Sequence, residues 1–194
     1  MEDIILTGPK HSGKTSAGKA LASLCSCGFI DLDELIEQRT GKSPRQLFSE
    51  DPVIFQKAEA EAAAAVLAEG ADSAETRRRV IATGGGIIDN AEASAALKKA
   101  RGEPSPCGHG GGSSAAAVYL NISAESAWNR IANSANGELP PFLRTENPRE
   151  THRALHERRA AAYMQFADIV IEAEEKTPEK IAAEILSRLN ERKI

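Results

Sequence analysis

Eight residues near the start, Gly8-Pro9-Lys10-His11-Ser12-Gly13-Lys14-Thr15, restrict this chain more than anything else in it. They fit the pattern G-x-x-x-x-G-K-[ST] in full. They also stand between a short apolar run, Ile4, Ile5 and Leu6, and a stretch from Lys14 to Cys25 with Ala17, Ala20, Leu21 and Leu24 at helical spacing. A strand, a glycine loop and a helix in that order aim successive backbone N–H groups and a helix N-terminus at one point, which is how a chain holds phosphate. Lys14 is placed to neutralise phosphate oxygens and the Thr15 hydroxyl to ligate Mg²⁺, with Gly8, Lys10, Ser12, Gly13 and Ser16 completing the contacts to a nucleotide. The four constrained positions should coincide by chance in about one percent of chains this long. His11 stands where such loops often carry another glycine, so the reading expects its backbone to stay in an ordinary region.

The rest of the chain repeats the alternation. Gly28 to Asp31 reads as a second strand running into a helix with Leu32, Leu35 and Ile36 on one side. Glu50 to Glu69 is an Ala-rich helix stopped by Gly70, and Val80 to Ala82 is a third strand before Gly84, Gly85 and Gly86. Ala91 to Ala100 is helix, Val118 to Ile122 a fourth strand and Ala124 to Ser134 helix. Glu150 to Phe166 is helix, Ile169 to Ile171 a fifth strand and Pro178 to Arg192 a terminal helix. Two stretches lose all periodicity: a Gly/Ser/Pro-rich insertion at 101–115, and a polar segment from Asn136 to Asn147 containing Pro140 and Pro141. Strands separated by helices imply right-handed crossovers and a parallel sheet covered on both faces, an α/β domain spanning 1–194. Hydrophobic residues make up 41% of the 194 but aromatics only 4%, so the core must be built from aliphatic side chains and alanine.

Composition also excludes several classes. A net charge of −4 lacks the basic face that nucleic acid requires, and no apolar run reaches bilayer-spanning length. The first residues, Met1-Glu2-Asp3, lack the basic start and long apolar run of a secretory signal. Cys25, Cys27 and Cys107 are an odd set without zinc spacing, read as reduced thiols in a cytoplasm.

Asp31 and Asp33 lie two apart at the end of the second strand. If the extended conformation continues, both side chains face the phosphate loop, because ligands of parallel sheets sit beyond the carboxyl ends of the strands. One would serve the metal and the other accept or orient a hydroxyl proton, and spacing alone does not say which. The plainer alternative has Asp33 capping the next helix and Asp31 solvated. Three successive glycines, Gly84 to Gly86, permit a backbone approach that a Cβ would block.

The phosphate loop, the Phe-Ile-Asp-Leu-Asp-x-x-Ile-Glu context of Asp31 and Asp33, the following Arg39-Thr40-Gly41, the glycine triplet and a late Arg-rich helix together resemble the shikimate kinase family. The resemblance implies a three-layer α/β sandwich around a five-stranded parallel sheet, with a mobile lid at about 134–150. It implies ATP and Mg²⁺ as partners, shikimate as the acceptor at its 3-hydroxyl, a place in the route to chorismate and aromatic amino acids, and a monomer. By the same resemblance Lys14 and Thr15 meet phosphates and metal, Asp31 lies near the metal, and Arg130 lines the adenine pocket. Asp33 contacts the acceptor hydroxyls, Gly85 and Gly86 offer backbone donors to it, and Arg159 pairs with its carboxylate.

Two positions depart from that pattern. The family's Phe-Arg-x-x-Glu, whose Arg grips the substrate carboxylate, reads Phe55-Gln56-Lys57-Ala58-Glu59 here, and the lid's Arg-Pro-x-Leu reads Pro140-Pro141-Phe142-Leu143. Each charge-assisted contact of this kind is commonly worth about 1.5 to 3 kcal/mol. Arg144, Arg149 and Arg153 read as a solvated helix face that a closing lid would have to redirect. The departures keep open a kinase for another hydroxylated acceptor such as a sugar acid, with Gln56 as a neutral substrate contact, and a non-catalytic ATP-binding relative.

Overall fold

The first strand, β1 (Asp3–Thr7), is buried at every position, with Ile4 and Leu6 facing one side of the sheet and Ile5 the other, so it needs helices on both faces. The structure, a computed structural model, describes residues 3–69, 78–102, 115–133 and 139–192. After β1 come α1 (Lys14–Cys25), β2 (Gly28–Asp31), α2 (Leu32–Thr40), α3 (Pro44–Glu50), α4 (Pro52–Glu69) and β3 (Arg79–Ala82). Then follow α5 (Ala91–Ala100), β4 (Ala115–Asn121), α6 (Ala124–Ala132), α7 (Pro148–Phe166), β5 (Ile169–Glu172) and α8 (Pro178–Glu191). Short 3₁₀ turns at Ile87–Asp89 and Pro141–Leu143 complete the order. The sheet runs β2-β3-β1-β4-β5 with every pairing parallel. Successive crossovers leave β1 in opposite directions, and the carboxyl ends of β1, β2 and β3 therefore open onto one crevice.

The core is aliphatic, as the composition requires. Leu21, Ile181, Ile185 and Leu189 of α1 and α8 cover Ile4, Leu6, Val118 and Leu120, while Ala60, Ala63 and Val66 of α4 join Leu97 and Phe166 over Ile5, Ile81 and Ala117. Each fully buried Leu or Ile contributes about 1.5 to 3 kcal/mol relative to exposure, and the alanines let α4 approach the sheet closely. Two acids at the sheet are paired: buried Asp3 accepts from the backbone N–H and guanidinium of Arg79, and half-buried Asp168 takes Arg101 at 2.7 Å and the Ala117 N–H at 2.8 Å.

Three expectations need correction. The helix expected from Glu50 to Glu69 begins at Pro52, and Glu50 is the last residue of a separate helix, α3. Asp51 is extended because Pro52 follows it, and Pro52 then opens α4 from the first-turn position that suits proline. The preceding α3 escaped the hydrophobic pattern, although Ser43 and Gln46 form a reciprocal capping box at its start. The insertion expected at 101–115 is narrower at both ends, since Arg101 caps α5 and Ala115 already pairs with Asp3. Alanine is a poor strand former on its own, and pairing with β1 overrides that preference. Residues 103–114, and the first part of the segment expected as a lid, 134–138, lie outside the described residues. Pro148 to Glu150, at its other end, belong to α7.

Candidate active site

Backbone geometry builds the phosphate end. Gly13 caps α1 at φ 94°, and Gly8, at φ 142°, passes so close to β4 that a Cβ would fall 2.6 Å from the Leu120 carbonyl oxygen. His11 is the correction here: it adopts φ 62°, the left-handed region, where a non-glycine residue is strained by about 1 to 2 kcal/mol. The loop keeps its shape despite the residue, held partly by Arg130, whose NH1 donates to the His11 carbonyl at 2.9 Å. The Lys14 amine is buried and donates to the carbonyls of Gly8 at 2.9 Å and Pro9 at 2.8 Å. Burial pushes its pKa down to about 8, with Asp33 and Asp31 opposing the shift. The Thr15 hydroxyl donates to Asp31 Oδ2 at 2.7 Å, joining the residues expected at the metal.

The strand argument for Asp31 and Asp33 does not survive. Asp31 is the N-cap of α2, its Oδ1 accepting from the Asp33 N–H at 3.0 Å, so Asp33 lies inside the first helical turn and Asp31 does the capping. Both acids nonetheless line one cavity, because a helical turn rather than a continued strand brings them round. Asp33 titrates above the usual carboxylate range, raised by burial and then by Asp31, with Lys14 and Lys10 opposing.

That cavity, about 550 Å³, runs from the phosphate loop to α3, α4, α7 and the Pro141–Leu143 turn. Of the nucleotide contacts expected from sequence, Lys10, Gly13, Lys14, Thr15, Ser16 and Arg130 form its wall, while Gly8 and Ser12 do not. Of the acceptor contacts, Asp33, Gly84, Gly85, Gly86 and Arg159 form the wall and Gln56 does not. Gln56 is exposed on α4, where Phe55 and Glu59, one turn apart, take the face toward the cavity. Backbone packing requires glycine at position 85, while a side chain at 84 or 86 would displace the ends of Glu59 or Arg159. A Cβ at Gly84 would sit 2.8 Å from Glu59 Oε1, at Gly85 2.8 Å from the Lys10 backbone nitrogen, and at Gly86 3.2 Å from Arg159 NH2. Arg149 pairs with Glu125, and Arg153 with Glu150 and Glu157, on the exposed surface. Neither they nor Arg144 enter the cavity wall.

Sequence reasoning left three features unassigned. Glu59 is buried, accepts from Asn90 Nδ2 at 3.0 Å through Oε2, and has no partner on Oε1 among the described residues. Burial pushes its pKa up to about 7, and Asp33 nearby adds to the rise. The spacing of Phe55 and Glu59 on an Ala-rich helix was the available signal. Asp89 holds both late arginines, taking Arg158 at 2.7 and 2.9 Å and Arg159 Nε at 2.8 Å. Burial raises its carboxyl, but those two guanidiniums outweigh it and keep the group below its ordinary range. Arg159 also donates to the Gly85 carbonyl at 3.1 Å and lies 5.8 Å from the centre of the Phe142 ring. The third feature is the group of Arg45, Phe48 and Phe55 on α3 and α4 facing Phe142, which no local pattern announces.

A family model of shikimate kinase matches residues 10–190. The chain belongs to the shikimate kinase family. A shikimate kinase of Pseudomonas entomophila (strain L48) is 33% identical over 193 residues, 98% of each chain. Among solved structures, shikimate kinase from Acinetobacter baumannii in complex with shikimate superposes with a TM-score of 0.80 at 28% identity, covering 100% of this chain and 96% of that one. Shikimate kinase from Aquifex aeolicus gives 0.75 at 28% identity, covering 99% and 98%. The five-stranded parallel sheet flanked by helices is that family's architecture.

Proposed function

We infer that this protein transfers the γ-phosphoryl group of ATP to a hydroxyl of shikimate. The observation that carries the reading is one cavity wall joining a complete phosphate loop, Lys14 and Thr15, to a raised-pKa acid, Asp33, and an anchored guanidinium, Arg159. An acceptor with several hydroxyls and one carboxylate matches that pairing of acid and guanidinium.

The Gly13 and Lys14 end of α1 binds the phosphates, and the Lys14 ammonium moves from the Gly8 and Pro9 carbonyls to the phosphate oxygens. Asp33 accepts the proton of the attacking hydroxyl, and its elevated pKa brings it nearer to neutral operating pH. Arg159, fixed by Asp89, orients the acceptor. The Thr15 hydroxyl and the Asp31 carboxylate, 2.7 Å apart, are the oxygen donors that suit Mg²⁺. No cluster of three or more His, Cys, Asp or Glu able to hold a metal occurs among the described residues, and a Mg²⁺ that shares nucleotide oxygens needs none. The ion supplies neutralisation of the charge that develops on the phosphoryl oxygens. Arg130, bonded to the loop at His11, borders the adenine side. The same reading makes the segment leading into α7 a lid, and the protein a cytoplasmic monomer acting as one domain.

A coupled ADP-release assay with MgATP, run with shikimate, with gluconate and without acceptor, tests the reading. Shikimate-dependent release that disappears in Lys14→Ala is the expected result. Release with gluconate alone would assign a sugar-acid kinase, and no acceptor-dependent release would leave an ATP-binding relative.

A further inference from the structure

The acceptor end of the cavity carries two guanidiniums, and only one of them was foreseeable from sequence. Arg45 and Phe48 lie three residues apart on α3 and face the cavity together. Phe48 meets Phe55 edge-on at 5.8 Å and Phe142 at 6.4 Å, and the Arg159 guanidinium lies over that same Phe142 ring. Arg45 and Arg159 thus reach one aromatic-lined compartment from different elements, α3 and α7. An NH2 hydrogen of Arg45 is donated to the Leu139 carbonyl at 3.3 Å, which places its head group beside the Pro140–Phe142 wall.

Arg159 has part of its donor set committed, Nε to Asp89 and one NH1 hydrogen to the Gly85 carbonyl. It can therefore meet a carboxylate end-on through NH1 and NH2 but not side-on through Nε, and a second cation would strengthen the grip. Gln56 is exposed outside the wall and supplies nothing in compensation. Asp33 and Glu59 in the same wall are acids suited to hydroxyls and repel a carboxylate, and the lysines of the wall, Lys10 and Lys14, belong to the phosphate loop. We propose that Arg45 is a specificity-determining residue that binds the carboxylate of the acceptor together with Arg159, in place of a cation on α4. This rests on the reading of the cavity as a shikimate site. It places the carboxylate between α3 and α7, over the Phe48–Phe142 pair, and leaves the ring hydroxyls toward Asp33 and Glu59.

The test uses purified full-length protein, Arg45→Ala and Arg45→Lys, with shikimate and its uncharged methyl ester as acceptors. In Arg45→Ala the KM for shikimate should rise about 10- to 100-fold, the size expected for a hydrogen bond to a charged group. The KM for MgATP should stay within about twofold, and the preference for shikimate over the ester should fall by the same factor as the shikimate KM rises. Arg45→Lys, which keeps charge and stem but not the fork, should recover part of that preference. An unchanged preference in both variants overturns the proposal, as does a loss carried by the KM for MgATP or by kcat, which would put Arg45 on the phosphates. Wild-type protein without shikimate-dependent turnover would sink the shikimate reading and this inference together. Active wild type with indifferent Arg45 variants sinks this inference alone.

Discussion

The two ends of the cavity are built in different ways. The phosphate end is a single stretch, Gly8 to Ser16, whose contacts come largely from backbone. Even a left-handed histidine at position 11 leaves its loop in place. The acceptor end gathers α2, α3, α4, the glycine triplet and α7, and its charged side chains hold one another: Asp89 with Arg158 and Arg159, Asn90 with Glu59. A backbone site survives exchange of side chains that do not contact the ligand, whereas a side-chain site is redefined by one replacement on any of its walls. The departures from the family pattern accordingly fall at Gln56 and Pro140, positions that serve side-chain contacts, and the lysine and threonine of the loop are intact.

The largest effect that separates the two ends should come from Asp33→Asn. The variant removes the proposed proton acceptor and also one of the two acids that support the Lys14 ammonium, so kcat should drop about 10²- to 10⁴-fold while MgATP affinity by calorimetry falls far less. Comparable losses of both would merge the two ends into one unit.

Next in size is a pH effect confined to the phosphate end. Burial holds the Lys14 ammonium at a pKa of about 8 in the free protein, and phosphates bind the charged form. Affinity for MgATP should therefore be full below that value and fall about tenfold between pH 7 and pH 9. Flat affinity across this interval would mean that the loop carbonyls keep Lys14 charged throughout.

The acceptor end should show a dependence of the same sign at lower pH, in stability. Glu59 is raised to about 7 from an ordinary 4.5, so the folded state binds its proton more tightly and loses stability as pH rises from about 4.5 through 7. Glu59→Gln should then raise stability by about 1 to 3 kcal/mol at pH 8, and by less than about 1 at pH 5, in urea unfolding monitored at both values. A gain independent of pH would remove the charge from the explanation.

The smallest contrast lies within the loop. Gly13→Ala should destabilise the protein by about 1 to 2 kcal/mol, since φ 94° is poorly open to alanine although nothing lies within 4 Å of the added Cβ. His11→Gly relieves strain but frees the unfolded chain, so the two effects should cancel to within about 0.5 kcal/mol. A clear gain in the second variant would show the histidine strain to be larger than its loop suggests.

Much of the fold was legible because its signals are local. The five short apolar runs, the caps and the glycine stops name strands and helices within a few residues of where they occur. The misses have physical reasons as well. The Asp51–Pro52 break lay two residues inside the expected helix, where Pro52 serves as a helix start, and the first residues of β4 were hidden by alanines that only a paired neighbour makes into strand. At the site, Lys14, Thr15, Asp31, Asp33, the glycine triplet and Arg159 could be named from spacing and resemblance. Gln56 could be named too, but not the direction it faces.

The sequence by itself determined the phosphate loop, the alternation of strand and helix and the aliphatic core, since each depends on neighbours within one or two turns of chain. Only the tertiary structure decided that Asp31 caps α2 while lining the cavity with Asp33, that Glu59 is buried with one oxygen unpartnered among the described residues, and that Arg45 shares a cavity wall with Arg159. These depend on how α3, α4 and α7 pack around the crevice beyond the strand ends. Burial and electrostatic coupling between distant residues have no local signature, because they arise from the distances that packing creates.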